Sequence, residues 1–155
     1  MFNASVDQTF PKGQAFAQWL KVVNASAMLG LLPIVDFFGG SSYTDAVVAP
    51  AQRWLYTERP HQTVQHFTFN TPVGAPADKQ CGRVVFSTFH VAEDGGQMGI
   101  DTFPGSCPDK PMTPQEKALE FMLFDASACI LPDKDPPRVF EPPAPPPPPP
   151  PPQVE

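Results

Sequence analysis

The segment GRVVFSTFH, Gly82 to His90, is the strongest strand in the chain. Val84, Val85 and Phe86 are consecutive apolar residues, and Phe89 follows. A strand covered on both faces has this pattern, as in an α/β sheet. Downstream, Val91 to Lys110 reads as a long loop, punctuated by Gly95-Gly96, Gly99, Pro104 and Pro108. Thr113-Pro114-Gln115-Glu116 then supplies an N-cap, a proline at the first helical position and an acid at the third. That is a capping box, and it predicts a helix running to about Asp125. Ala118, Leu119, Met122 and Ala126 form one apolar stripe, and Phe121, Leu123 and Phe124 widen it, so the helix reads as well buried.

Upstream, Thr63 to Asn70 (TVQHFTFN) alternates. Val64, His66 and Thr68 fall on one face; Gln65, Phe67 and Phe69 fall on the other. Arg53 to Thr57 (RWLYT) and Leu32 to Phe38 (LPIVDFF) read as further strands, and Thr71 to Lys79 as a loop. Lys12 to Met28 reads as an amphipathic helix. Phe16, Trp19, Leu20, Val23 and Ala27 share one face of a 3.6-residue period, with Pro11 just before it and Gly30 as its stop.

Thirteen of the 23 prolines lie in the last 25 residues, including an unbroken run from Pro145 to Pro152. Proline lacks a backbone N–H, so this run is expected to be an extended, solvated polyproline II tail outside any core. The chain therefore divides into a body, residues 1–130, and a Pro-rich linker, residues 131–155. The formal net charge is −6 across 155 residues. No Lys/Arg cluster provides the electrostatic footprint of a nucleic-acid or anionic-membrane partner. No apolar stretch is long enough for a membrane span. The N-terminus, MFNASVDQTF, has neither the basic nor the apolar region of a signal peptide.

The pair GRVVFSTFH and EKALEFMLF, Gly82 to His90 and Glu116 to Phe124, resembles the closing strand, loop and helix of class I glutamine amidotransferase-like domains, including the ThuA-like group. More closely, KGQAFAQWL, RWLYT, VQHFTFNTPV, QCGRVVFSTFHV, FPGSC and PQEKALEFMLFD are similar to an uncharacterised domain of large exported multidomain bacterial proteins. That resemblance spans about Phe10 to Ile130. It implies a flavodoxin-like three-layer α/β fold. It also implies that the body is the C-terminal part of a larger domain, incomplete at its N-terminus, since such sheets take about 200 residues. The implied setting is extracellular or the cell envelope, with adjacent domains of a longer chain as neighbours.

Amidotransferase chemistry needs a cysteine on a strand–helix turn and a histidine base. His90 stands at the position of the superfamily's late histidine, but no cysteine has the nucleophile's G-x-C-x-G setting. The export implied by the resemblance permits a disulfide among Cys81, Cys107 and Cys129, as Cys107–Cys129 or Cys81–Cys107; three buried thiols are the other reading. Glu93, Asp94 and Asp101 form a weak calcium candidate without the spacing of an EF-hand loop. His61 and His66 are too isolated to read as ligands. Trp19, Trp54 and Tyr56 are candidates to stack on sugar rings, although aromatics at these spacings are more often core.

No cofactor is implied. The leading expectation is a non-catalytic structural or binding module with an unknown protein or glycan ligand, leaning away from an enzyme. The alternatives are an amidotransferase-like hydrolase or lyase with His90 as base, and a carbohydrate-binding module.

Overall fold

A computed structural model describes residues 2–34, 44–58, 62–88, 111–127 and 133–135. The elements are β1 (Phe2–Val6), α1 (Pro11–Val22), β2 (Leu31–Ile34), β3 (Gln52–Thr57), β4 (Thr63–Thr71), β5 (Gly82–Ser87) and α2 (Pro114–Ser127), with a short 3-10 turn at Ala77–Lys79. The strands form one open five-stranded sheet in the order β2-β1-β3-β4-β5. The architecture is mixed α/β, as the sequence predicts. The strand directions differ from a flavodoxin-like sheet: all four neighbouring pairs run antiparallel.

This difference has a local cause. β4 and β5 are joined by residues 72–81, whose short turn folds β5 back beside β4, with Thr71 opposite Gly82. A parallel partner would need a crossover of a dozen or more residues. Among the described residues β5 lies at an edge of the sheet, and Val84 and Val85 are exposed rather than covered on both faces. Consecutive apolar residues do not distinguish a doubly covered central strand from an edge strand. At the opposite edge, β2 carries Pro33, which an edge strand tolerates because it has one unpaired side. β1, made of Phe2–Val6, is not marked by any apolar run and is missed in the sequence reading.

Both helices pack on the sheet face formed by Ala4, Val6, Leu32, Ile34 and Trp54. α2 touches β2 at one edge and β5 at the other. Fourteen residues make a helix of about 21 Å, close to the ~19 Å spanned by five strands. Phe16, Ala17 and Leu20 of α1, with Ala118 and Met122 of α2, complete the core.

The capping box of α2 forms as predicted. Thr113 N–H donates to Glu116 Oε2 (2.6 Å), and Glu116 N–H donates to Thr113 Oγ1 (3.2 Å). α2 is less buried than its composition implies, with Leu123 and Phe124 exposed. α1 ends at Val22, short of the expected Met28. Asn24 takes a left-handed conformation there (φ 55°), and the N–H groups of Ala25 and Ser26 both close onto the Leu20 carbonyl. Asn is among the few residues that adopt this C-terminal geometry readily, so the helix stops before Gly30.

α1 also carries a glycine whose role is contact rather than flexibility. A Cβ on Gly13 would overlap the backbone carbonyl of Asp7 and the ring of Phe10. Alanine normally favours a helix interior by about 1 kcal/mol over glycine. Here Gly13→Ala is expected to destabilise instead, by about 1–3 kcal/mol, as α1 is pushed from the sheet. Urea unfolding of the two proteins checks the sign.

Candidate functional site

β4 sends alternate side chains to opposite faces, and this places His66 and Thr68 under the helices. The register of β5 against β4 sets Arg83 across from Asn70, beside Thr68. From the helix side, Lys12 reaches down from the first turn of α1 and Asp125 from the last turns of α2. Asp133 arrives from beyond α2. Lys12 Nζ lies 2.8 Å from Asp125 Oδ1 and 3.7 Å from Asp133 Oδ1. One Arg83 terminal nitrogen contacts Asp125 Oδ2 at 2.8 Å and also Asp133 Oδ1. Two cations and two carboxylates thus form a closed, charge-balanced cluster. All four side chains are nearly buried, Arg83 to 4% exposure and the two aspartates to 11%.

The cluster continues into the core through neutral groups. The Trp54 Nε1–H donates to Thr68 Oγ1 at 2.8 Å, and that hydroxyl donates to Asp133 Oδ2 at 3.0 Å. The other terminal nitrogen of Arg83 donates to Asn70 Oδ1. His66 is fully buried, edge-on to Trp54 with ring centroids 6.3 Å apart. Burial, then the nearby Arg83 charge, lowers its pKa to about 4, against a partial opposing pull from Asp125. It is therefore neutral at pH 7.

A second, smaller charged group lies at the start of α1. Thr9 donates its N–H and its hydroxyl to Asp7 Oδ1 (3.1 and 2.6 Å), and Arg53 Nε donates to Asp7 Oδ2 (2.9 Å). Burial pushes the Asp7 pKa upward, but the Thr9 bonds and Arg53 outweigh it, so the net shift is downward. Arg53 also lies 3.8 Å over the Tyr56 ring.

Beside the buried cluster is an open cleft of about 400 Å³. It is bounded by Gln52 of β3, Phe69 and Asn70 of β4, Gln80 before β5, and the Asp133-Lys134 segment. Asp133 belongs to both features: its carboxylate faces the buried cluster while its segment forms one wall of the cleft.

The residues singled out by sequence fall differently. Cys81 is an exposed free thiol, one residue before β5, and no disulfide is present among the described residues. The expected Cys81 bridge is thereby overturned. Cys81 sits on the solvent side of the β4–β5 connection, its N–H held by the Thr71 carbonyl. Cys107 and Cys129 lie outside the described residues, as do His61, His90 and the Glu93, Asp94 and Asp101 group. Among the described residues, no group of three or more His, Cys, Asp or Glu side chains is placed to hold a metal ion. No helix among them is long and apolar enough to cross a membrane.

Trp54 does not offer a sugar-stacking surface. It is fully buried, with Phe10, Phe16 and Phe121 edge-on or inclined around it. Trp19 packs against the same core, and Tyr56 is taken up by Arg53.

Lys12, Arg83, Asp125 and Asp133 were not singled out by sequence. No short-range motif joins them, since Lys12 and Asp125 are 113 positions apart. The available signal is weak: a charged residue, Arg83, at the start of an otherwise apolar strand, and a lysine, Lys12, on the apolar side of α1. Compared with known protein families, curated proteins and solved structures, the chain matches none.

Two measurements test this cluster. Arg83→Met leaves two buried carboxylates facing one lysine, and is expected to cost about 3–5 kcal/mol in chemical unfolding. His66 supplies the pH test. The unfolded chain protonates it near 6.5 and the folded chain only near 4. Between these values the unfolded state binds more protons, so stability falls as pH drops from 6.5 toward 4, by about 3 kcal/mol in full. His66→Gln should flatten that slope in urea midpoints taken across the window. The Asp7 contribution is lost only at still lower pH, below the ordinary carboxylate value.

Proposed function

We propose that the chain is a non-catalytic structural or binding module of an exported bacterial multidomain protein, with its polyproline run as a spacer to the next module. The observation that carries this reading is the fate of the buried ionisable groups. Lys12, Arg83, Asp125 and Asp133 satisfy one another inside the domain. His66 is held neutral beneath the helices. A general base needs reach to a substrate proton and a pKa near working pH, and a nucleophilic cysteine needs an adjacent base. Cys81, exposed just before β5, does not stand on a strand–helix turn.

The larger-domain reading gains support from the sheet face opposite the helices. Phe67 stacks with Phe86 at 4.6 Å and lies 6.4 Å from Phe69, centroid to centroid, and Val84 beside them is exposed. A third layer, contributed by the rest of a larger domain, would cover this aromatic face. The run from Pro142 to Pro152 would extend ~34 Å as polyproline II, enough to hold a neighbouring module clear of the body.

The alternative is an amidotransferase-like hydrolase or lyase with His90 as base. The two readings part in one experiment. The full chain is assayed for hydrolysis of glutamine and of p-nitrophenyl acetate, alongside His90→Ala. The module reading expects background rates for both proteins. Turnover that disappears in His90→Ala overturns it.

A further inference from the structure

The cleft beside the buried cluster has a markedly polar lining. It is lined by three carboxamides, and each is fixed at one end by a bond within the protein. Gln52 Nε2 donates to the Arg53 carbonyl at 2.9 Å, leaving Gln52 Oε1 as an acceptor. Gln80 Nε2 donates to the Ala75 carbonyl at 3.0 Å, leaving Gln80 Oε1 as a second acceptor. Asn70 Oδ1 accepts from Arg83 at 3.1 Å, leaving the Asn70 Nδ2 hydrogens as donors. The bonded ends settle which way each amide points. Lys134, exposed on the fourth side, adds an ammonium donor.

The cleft thus presents both oriented acceptors and oriented donors, beside an apolar lining of Pro50, Ala75 and Ala77. A hydroxyl group both donates and accepts, so a set of neighbouring hydroxyls on one ring satisfies such a pattern. A carboxylate or phosphate, which only accepts, would confront the two amide oxygens. An apolar ligand would leave all of them unpaired at a cost in desolvation. The ring C–H groups of a sugar fit against the apolar lining of Pro50, Ala75 and Ala77. The wall carrying Lys134 is held by Asp133, which Arg83, Lys12 and Thr68 grip from below. The site is therefore largely pre-formed, which limits the ordering cost of binding.

We propose that this cleft is a saccharide-binding site, in which Gln52, Gln80, Asn70 and Lys134 hydrogen-bond the hydroxyls of a short oligosaccharide and the apolar lining of Pro50, Ala75 and Ala77 packs against its ring. It is a different surface from the tryptophans that the sequence suggests. The inference rests on the binding-module reading and gives it a ligand class.

The test uses the full chain. Saturation-transfer NMR and titration calorimetry are run with three probes, chitotetraose, maltotetraose and xylotetraose. At least one is expected to bind, with saturation transfer to its ring protons. Gln80→Ala and Asn70→Ala should each weaken that probe by about tenfold, as for the loss of one or two directed hydrogen bonds. Lys134→Ala, at an exposed position, weakens it without risk to the fold. Gln14→Ala, on the exposed side of α1, should leave binding unchanged. Circular dichroism confirms that each variant is folded. No binding by any of the three probes to the folded chain overturns the site, as does binding that survives Gln80→Ala and Lys134→Ala together. Cleavage of a bound probe, lost in the cleft variants, would uphold the site and overturn the non-catalytic reading.

Discussion

The indole of Trp54 sits in the central strand of the sheet and is fully enclosed. Its ring supplies the apolar centre around which Phe10, Phe16 and Phe121 are arranged, and its Nε1–H must find an acceptor without water. Thr68, on the adjacent strand, provides the acceptor. That bond commits the Thr68 hydroxyl hydrogen to another acceptor, and Asp133 takes it. A carboxylate drawn to this depth needs positive charge, which Arg83 and Lys12 supply. Asp125 then balances the second cation. One buried N–H thus leads, through successive requirements for a partner, to a cluster joining α1, α2, β4, β5 and the segment after α2.

Such a cluster is a poor source of net stability. Desolvating four charges offsets much of their mutual attraction, and well-packed apolar residues often do as well. Its consequence is positional. α1 is anchored at its first turn and α2 at its last, so the two helices cannot slide along the sheet independently. Lys117 reinforces this by donating to the Val23 carbonyl at 2.7 Å, past the end of α1. The segment at 133–135, which the composition assigns to the linker, is bound to the body through Asp133. That attachment sets the wall of the neighbouring cleft. The cleft and the core are thereby linked: the same carboxylate that completes the buried charge balance fixes where Lys134 stands.

Much of the local structure was legible in the sequence because its causes are local. The capping box at Thr113 and Glu116 lies within one helical turn. The face of α1 bearing Phe16 and Leu20 follows from the 3.6-residue period, and the β4 alternation separates His66 and Thr68 from Phe67 and Phe69. The errors have causes just as specific. Val84-Val85-Phe86 suggested a strand covered on both faces, but strand position depends on the connection rather than on the run itself. α1 ends earlier than Gly30 implies because Asn24 already takes a left-handed conformation, although Gly30 takes one as well. An oxidising compartment permits a cysteine pairing without requiring one, and Cys81 is exposed and free.

The candidate site was almost wholly illegible for a related reason. Arg83 and Asp133 are 50 positions apart, and Lys12 and Asp125 are 113 apart. A sequence shows that a lysine lies on the inner side of a helix; it does not show which carboxylate will meet it. What the sequence determined by itself is the set of elements with short-range causes: both helices, their apolar stripes, the alternation of β4 and the proline-rich end. Tertiary structure alone decided the antiparallel strand order, the edge position of β5, and the convergence of Lys12, Arg83, Asp125 and Asp133 on Thr68. Periodicity and capping act over a few residues along the chain, whereas charge pairing and sheet order depend on which distant segments the enclosed core brings within a few ångströms.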